Sequence, residues 1–461
     1  MKQNQHAPER SDFSKGAVWR VILIQAVPLM VAQIVHLLYN IVDRVFIGHM
    51  PGGEGSLALT GIGLAFPITT IIAAFTSLLS TGGAPLFAIA RGAKKEERAE
   101  KILNQVAMQL IVASILLSAV CFIWRRPILY LFGATDSSIG YADEYLKIYL
   151  CGTLFAMLST GLNSFINAQG FPSHGMITIV SGAVVNLILD PIFIFGLHMG
   201  VKGAALATVI GQAVSCLWVL GFFFSDVSMY HFHSDQWAPE WSILKEIIAL
   251  GTTGFIMQGT NSLVQITCNI MLRSYGGDLY LGAMTVINSI REVLSLPASA
   301  LSQGSQPVIS YNYGARKYSR IKAAVRFNTI AAGIYTLAAW IAVILFPDWL
   351  MGIFTEDPEM IEIGSRAMFL YFFGFVFMTL QFTGQSTFTA TKCVRRAVFF
   401  SLFRKVIIVV PLTLVLPGLG FGSDGVFLAE PISNVIGGTA CFVTMMLTLY
   451  RRFPPDGEPM P

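Results

Sequence analysis

Apolar residues run along this chain in long blocks separated by short polar turns. Twelve blocks, at 17–48, 57–81, 100–124, 141–169, 175–196, 203–225, 243–272, 280–306, 322–346, 361–390, 396–416 and 425–449, are each long enough to cross a bilayer, which takes about 20 apolar residues in a helix. The pattern predicts an all-α membrane protein with twelve transmembrane helices. The first, fourth, seventh and tenth blocks are longer than a crossing needs, so tilting or bending is expected there. Pro28 lies inside the first, where it removes a backbone hydrogen bond and permits a kink.

The turns repeat. Gly92-Ala93-Lys94-Lys95 returns as Gly314-Ala315-Arg316-Lys317, an offset of 222 residues (314 − 92). The same offset pairs Gly82 with Gly304, Pro85 with Pro307, Tyr149 with Tyr371, Gly152 with Gly374 and Gly200 with Gly422. A duplicated half in a membrane chain marks a transporter built from two lobes. The expected layout is a cytoplasmic segment 1–16, an N-lobe 17–225, a linker 226–242, a C-lobe 243–449 and a cytoplasmic tail 450–461. Six helices per half is an even number, so both lobes enter from the same side and the repeat is parallel.

Composition agrees. Of 461 residues, 54% are hydrophobic and 12% charged, with mean hydropathy +0.65. A soluble domain carries about 25% charged residues, so most of this surface must face lipid. The net charge of +4 implies no nucleic-acid partner. Basic residues gather at one set of ends: Lys2, Arg10, Lys15 and Arg20; Arg91 to Lys101; Arg316 to Arg326; Lys392, Arg395 and Arg396; Arg451 and Arg452. The positive-inside rule makes that side, and both termini, cytoplasmic. No cleavable signal peptide precedes the first block. The linker's His231 and His233 read as a solvated loop rather than a metal site, and the tail after Pro454 as disordered. Six cysteines lie singly, without metal-ligand spacing. There is no phosphate-binding Gly-rich loop with Lys, so ATP is not the direct energy source, and no clustered nucleophile, base or metal set that would make an enzyme.

Polar residues inside the blocks carry the chemistry. A charged carboxylate at the bilayer centre costs about 2.5–3.5 kcal/mol on insertion scales, so such residues face the protein interior. The first block carries His36, Tyr39, Asn40 and Asp43 at helical spacing on one face. Asn186 and Asp190 share a face of the fifth, before Pro191; the sixth adds Thr208, and the fourth a stripe of Thr160, Asn163 and Asn167. Each stripe alone reads equally as interhelical hydrogen bonding. Together they describe a polar cavity with two carboxylates, able to take up a proton or share a Na⁺ through oxygen ligands, and so to bias a helix hinged at Pro28 between two shapes. The second half does not repeat the acids: its stripes are Gln258, Asn261, Gln265 and Asn269, then Gln381 and Gln385, of which Gln258, Gln265 and Gln385 are expected, with His36, to line the substrate cavity. Glu292, beside Arg291, is its one deep carboxylate on this reading, either paired locally with Arg291 or a secondary coupling candidate. Arg404 and Lys405 are expected to snorkel toward the cytoplasmic interface.

The run YNIVDRVFIGH at 39–49 resembles the first-helix signature of the multidrug and toxic-compound extrusion (MATE) family. So do Gly82-Gly83-Ala84-Pro85 before Arg91-Gly92, Ala168-Gln169-Gly170, Asn186-x3-Asp190-Pro191, Gly200-x2-Gly203-Ala204-Ala205, and Gln303-Gly304-x2-Gln306-Pro307 with Asn312-Tyr313-Gly314-Ala315. The resemblance covers essentially the whole chain. It implies two six-helix lobes around a V-shaped cavity, in a monomer of the bacterial cytoplasmic membrane. It further implies export of cationic or amphipathic small-molecule drugs by H⁺ or Na⁺ antiport, with no cofactor and no structural metal beyond a Na⁺ passing through. By resemblance the cation site falls on Asp43, Asn186, Asp190 and Thr208, the kink on Pro28, and cavity residues on Tyr39 and Asn163. His36 departs from a Gln seen in some relatives. The helix-7 acid of one branch is absent, where Gln258 and Gln265 stand. A lipid-linked precursor flippase of the wider superfamily is the alternative; it would favour a basic central cavity.

Overall fold

The computed structural model describes residues 11–50, 55–136, 138–233 and 236–460. Lys2, Arg10 and most of the amino-terminal segment 1–16 lie outside them. Among the described residues every regular element is a helix. The first half comprises α1 (Val18–Gly48), α2 (Gly55–Gly92), α3 (Glu96–Leu131), α4 (Ile139–Cys151), α5 (Thr153–Gln169), α6 (Pro172–Pro191) and α7 (Val201–Phe224). α8 runs from Trp241 to Gly314, broken at Gly277 (φ 71°, ψ −166°), and holds both the 243–272 and 280–306 blocks. There follow α9 (Tyr318–Leu345), α10 (Pro347–Gly352), α11 (Pro358–Phe372), α12 (Met378–Ala390), α13 (Val394–Leu402), α14 (Val410–Val415), α15 (Gly422–Ser433) and α16 (Thr439–Thr448). Eight spans are long and apolar enough to cross a membrane singly, and two bent pairs add two more. With the two arms of α8 this is the twelve-helix architecture. Many large apolar side chains point outward, among them Leu116 (60% exposed), Ile123 (71%) and Leu217 (68%), as lipid-facing helices require.

The expected bends occur at equivalent places. α4 and α5 meet at 55° across Gly152, and α11 and α12 at 45° around Gly374. Each glycine admits a neighbouring helix: a Cβ at Gly152 would lie 2.5 Å from Val209 on α7, and one at Gly374 would collide with the Pro431 carbonyl on α15. Val209 and Pro431 are themselves 222 apart (431 − 209). The basic turns match to the hydrogen bond. Lys95 N–H donates to Ala90 O and Lys317 N–H to Asn312 O, both at 2.9 Å. Lys94 (φ 58°) and Arg316 (φ 54°) both take the left-handed conformation unusual for a residue with a Cβ. Gly170 and Lys392 form another positive-φ pair at the same offset.

Two compact units emerge, and they do not follow the halves of the sequence. Among the described residues, one contains 28–251 with Ser11 and Asp12; the other contains 13–27 and the residues from 252 to 460. The close-approach glycines account for this. In the first unit Gly82 of α2 and Gly251 of α8 leave no room for a Cβ, each lying against the other helix's backbone at Ile247 O and Leu78 O. In the second, a Cβ on Gly304 of α8 would stand 2.8 Å from Ala26 N of α1. The start of α1 therefore buries Phe13, Val18, Val21 and Ile22 in a core with Val308, Ile321, Phe388, Phe400 and Met445. α1 continues as one helix through Pro28, the first residue of the other unit.

The carboxy-terminal tail is ordered, contrary to its Pro-rich appearance. Phe453 is buried and stacks on Tyr318, centroids 5.3 Å apart. Gly457 N–H donates to Arg316 O at 2.9 Å, and Ser319 N–H to Asp456 at 2.8 Å. The 226–240 linker is likewise pinned, not merely solvated. Asn104 accepts from His233 N–H (3.0 Å), and Gln105 donates to Ala238 O (2.6 Å) and accepts from Glu240 N–H (3.2 Å). His231 turns its ring to Phe223 O (3.0 Å) while His233 faces Glu100 (3.5 Å), so the two do not converge on one metal.

Candidate cation-coupling site

α6 and α7 pack along one another in the first half. Asn186 and Asp190, one turn apart, both sit on the buried side of α6; Asp190 is fully buried and Asn186 nearly so. Pro191 ends the α-helix and is followed by a π-helical turn, Ile192–Gly196; such turns are rare and gather at functional sites. In either orientation the Asn186 amide serves Asp190. Its nitrogen donates to Oδ1 at 3.3 Å, or, turned over, to Oδ2 at 3.2 Å while its oxygen accepts from Thr208 N–H at 3.3 Å. The Thr208 hydroxyl donates to Ala204 O at 3.0 Å, which leaves its oxygen lone pairs toward the group.

α1 supplies the second acid. The Asp43 carboxyl lies against that of Asp190, with Arg44, an exposed neighbour, the charge next to it. The Oδ1 of Asp43 is shielded from solvent and without a partner. Two carboxylates only accept, so their contact is favourable when a proton or a cation lies between them. Among the described residues no group of three His, Cys, Asp or Glu is placed to hold a metal. Two carboxyls with an amide and a hydroxyl oxygen make a hard-oxygen set suited to H⁺ or Na⁺ rather than to a resident transition metal.

Tyrosines wall this group. Tyr39 stands within electrostatic reach of Asp43, Asp190 and Tyr149, and Tyr145 of the same two acids. Tyr145 and Tyr149 stack, 5.9 Å and 16° apart, and the Gln212 side chain lies beside the Tyr149 hydroxyl. Of these residues only Tyr39 stood out in the sequence; Tyr145, Tyr149 and Gln212 did not. The signal was present: Tyr149 already paired with Tyr371 across the repeat. His36, exposed, sets its ring edge-on to Tyr39 (5.0 Å, 87°), and Asn40 donates to its carbonyl at 2.8 Å. Asn163 is not brought to the acids. It faces Gly175 together with Asn167, fifteen residues before Asp190 and so about 22 Å along α6.

The glutamines of the second half are dispersed. Gln265 is exposed and donates to Asn269 (3.3 Å), while Gln385 ties α12 to α13 through Ala397 O (2.9 Å) and Ser401 Oγ (3.0 Å). Gln258 is half-buried on α8, two turns before Gln265. Two expectations are corrected here. Glu292 is exposed, and the deep carboxylate of this half is Glu430 on α15, 7% exposed. Arg404 and Lys405 do not snorkel: Lys405 Nζ donates to both Glu430 oxygens at 2.8 and 3.1 Å, and Arg404 Nη1 to Glu430 at 3.0 Å and Asn434 at 2.7 Å. Desolvated cations take an interior partner when a carboxylate is within reach, because the alternative is a bare charge in low dielectric.

The family model MatE matches residues 28–192 and, a second time, 254–415, once in each half. The chain belongs to the MatE family. It is therefore a transporter and not an enzyme. Curated relatives include the multidrug export protein MepA of Staphylococcus haemolyticus (strain JCSC1435), 25% identical over 446 residues, 95% of this chain and 94% of that one. MepA of Staphylococcus aureus (strain MSSA476) is 26% identical over 451 residues, 95% of each. Among solved structures the fold matches MATE in the bent conformation (TM-score 0.89, 21% identity, 95% and 97% of the two chains). It also matches an outward-facing multidrug resistance MATE family transporter of the MOP superfamily (0.89, 21%, 97% and 100%). MatE architecture thus gives α1 and α6 their places, with Asp43 and Asp190 meeting inside the first half.

Proposed function

We propose that this chain exports cationic and amphipathic small molecules across a bacterial cytoplasmic membrane, driven by inward movement of H⁺ or Na⁺. The observation that carries the reading is the contact between Asp43 and Asp190, with Asn186 and Thr208 beside it and the tyrosines around it. A proton or Na⁺ entering from outside neutralises charge between α1 and α6. That gives α1, which carries Pro28, a different energy in its two shapes, and the substrate site is emptied outward. Ligand-dependent energy differences between two shapes are what alternating access needs. One proton moving through 100 mV supplies about 2.3 kcal/mol, close to two factors of ten in concentration ratio. MepA relatives, named as multidrug export proteins, support the substrate class. Both termini are cytoplasmic on the positive-inside argument, and the protein works as a monomer without ATP.

Export of ethidium from proteoliposomes under imposed ΔpH or ΔNa⁺ tests this and identifies the ion. Asp43→Asn should abolish gradient-driven export while the variant still purifies as a folded protein. Wild-type export by that variant would sink the mechanism. The flippase alternative requires a lipid pyrophosphate substrate; dye export that such a lipid does not compete with excludes it.

A further inference from the structure

The second half carries more positive charge than its own carboxylates absorb. Both oxygens of Glu430 are taken by Lys405, and one of them also by Arg404, whose Nη1 also reaches Asn434. The Glu430 and Lys405 side chains are 9% and 8% exposed. Arg291 on α8 joins this group from the next helix. The groups facing it are Tyr371, Glu430, Glu292 and Cys268, with Lys405 close by. Its Nε is shielded from solvent and has no hydrogen-bond partner. The Tyr371 hydroxyl donates to Asn288 (3.3 Å), Glu430 already accepts three hydrogen bonds from Lys405 and Arg404, and Glu292 is exposed. Even with Glu292 counted, the cluster holds three cations (Arg291, Arg404 and Lys405) against two carboxylates.

An ionisable residue inside a span that lacks a partner marks a substrate or ion pathway. A guanidinium fork matches a carboxylate in shape and charge, which an ammonium does not. The backbone around it is irregular too: Arg404 and Lys405 lie on one π-helical turn, Phe403–Val409, and Asn434 on another, Asn434–Gly438. Resting on the export reading above, we propose that Arg291, backed by Arg404 and Lys405, receives the carboxylate of an amphipathic transported compound. The first half then handles the coupling cation, and the second half admits zwitterions and amphiphilic acids.

The test is equilibrium binding of dansyl-undecanoic acid and of its methyl ester to the purified chain in detergent, read by dansyl fluorescence. A charge-assisted hydrogen bond predicts that the acid binds at least about tenfold tighter than the ester. Arg291→Gln should erase that ratio without changing the ester's affinity, and Arg291→Lys should leave an intermediate ratio. Equal binding of acid and ester to the wild type overturns the proposal, as does an unchanged ratio in Arg291→Lys, which answers the question even if Arg291→Gln fails to fold. Displacement of the acid by inorganic phosphate, with the chain adding no affinity, would instead mean a free-anion site and also overturns it. Because binding in detergent needs no gradient, loss of dye export with the acid preference intact would count against the export reading alone.

Discussion

Replacing Glu430 by Gln should be among the most damaging single changes in the second half. The substitution keeps volume and removes one negative charge. What remains is Lys405, 8% exposed and formerly bonded to both carboxylate oxygens, Arg404, 14% exposed, and Arg291 close by. Removing one partner of a buried ion pair costs about 3–5 kcal/mol, because the other charge is left uncompensated. For a unit of roughly two hundred residues, 1 kcal/mol moves the melting midpoint by about 2–4 °C. Glu430→Gln should then melt roughly 6–20 °C below wild type in detergent. The double variant Glu430→Gln with Lys405→Met should recover part of the loss, since the stranded ammonium is gone while Arg404 keeps Asn434 at 2.7 Å. The coupling between the two sites should fall within about 0.5–3 kcal/mol. A Glu430→Gln midpoint within a degree or two of wild type, or a double variant that simply adds the two single losses, would refute the cluster as described.

Three further outcomes are expected. Gly251→Ala places a Cβ on Leu78 O and should lower the melting midpoint by an amount corresponding to about 1–3 kcal/mol of overpacking, whereas Gly63→Ala, with open space around it, should be neutral in the same measurement. Asn186→Ala, which strips Asp190 of its amide partner, should weaken gradient-driven ethidium export in proteoliposomes by about tenfold, while Gln385→Ala, which only unties α12 from α13, should change melting but not the choice of coupling ion. At the tail, burial pushes Asp456 up, but the hydrogen bonds from Ser319 outweigh it and hold the carboxyl below its ordinary 3.8. A depressed carboxylate stabilises above its unfolded value, and the benefit is lost as pH falls through the folded one. Hydrogen exchange at Gly457 N–H should therefore show constant protection from pH 7 to about 5 and loss of protection below about 4, and Asp456→Asn should show that loss at pH 7.

The helices were legible because a span must satisfy its backbone internally and clothe itself in apolar side chains, and both demands leave long runs in the sequence. Asp43, Asn186, Asp190 and Thr208 were legible because an acid inside such a run is conspicuous and helical spacing shows which face it occupies. Glu430 escaped, and Lys405 was given the wrong partner, for the opposite reason: Glu430 looks like an isolated charge near the start of its block, and nothing local says that α15 and the 403–409 turn bring the two within 2.8 Å. The tail misled similarly. Pro454, Pro455 and Gly457 suggest disorder, yet Phe453, one residue earlier, is the anchor. The bends at Gly152 and Gly374 were half visible, as overlong blocks with a repeated glycine, but their angles depend on Val209 and Pro431 in helices that follow much later.

The duplication shows most clearly what separates the two halves. At the 222-residue offset, Thr208 corresponds to Glu430 (430 − 208), Gln212 to Asn434 and Tyr149 to Tyr371. In each half these three positions stand together at the junction of the same two elements, the bent helix pair and the last helix. The first half sets neutral oxygens and a tyrosine there, against two carboxyls from α1 and α6 with no tethered cation among these groups, which is what the proposed exchangeable H⁺ or Na⁺ would require. The second half sets a carboxylate there and meets it with Lys405 and Arg404, which are covalently part of the chain. A tethered cation cannot leave, so this half has no use for an exchangeable one at Glu430. Its surplus positive charge, carried by Arg291, asks for an anion instead. On the export reading, the two copies of one arrangement would serve different roles, with an exchangeable cation in the first and a tethered one in the second.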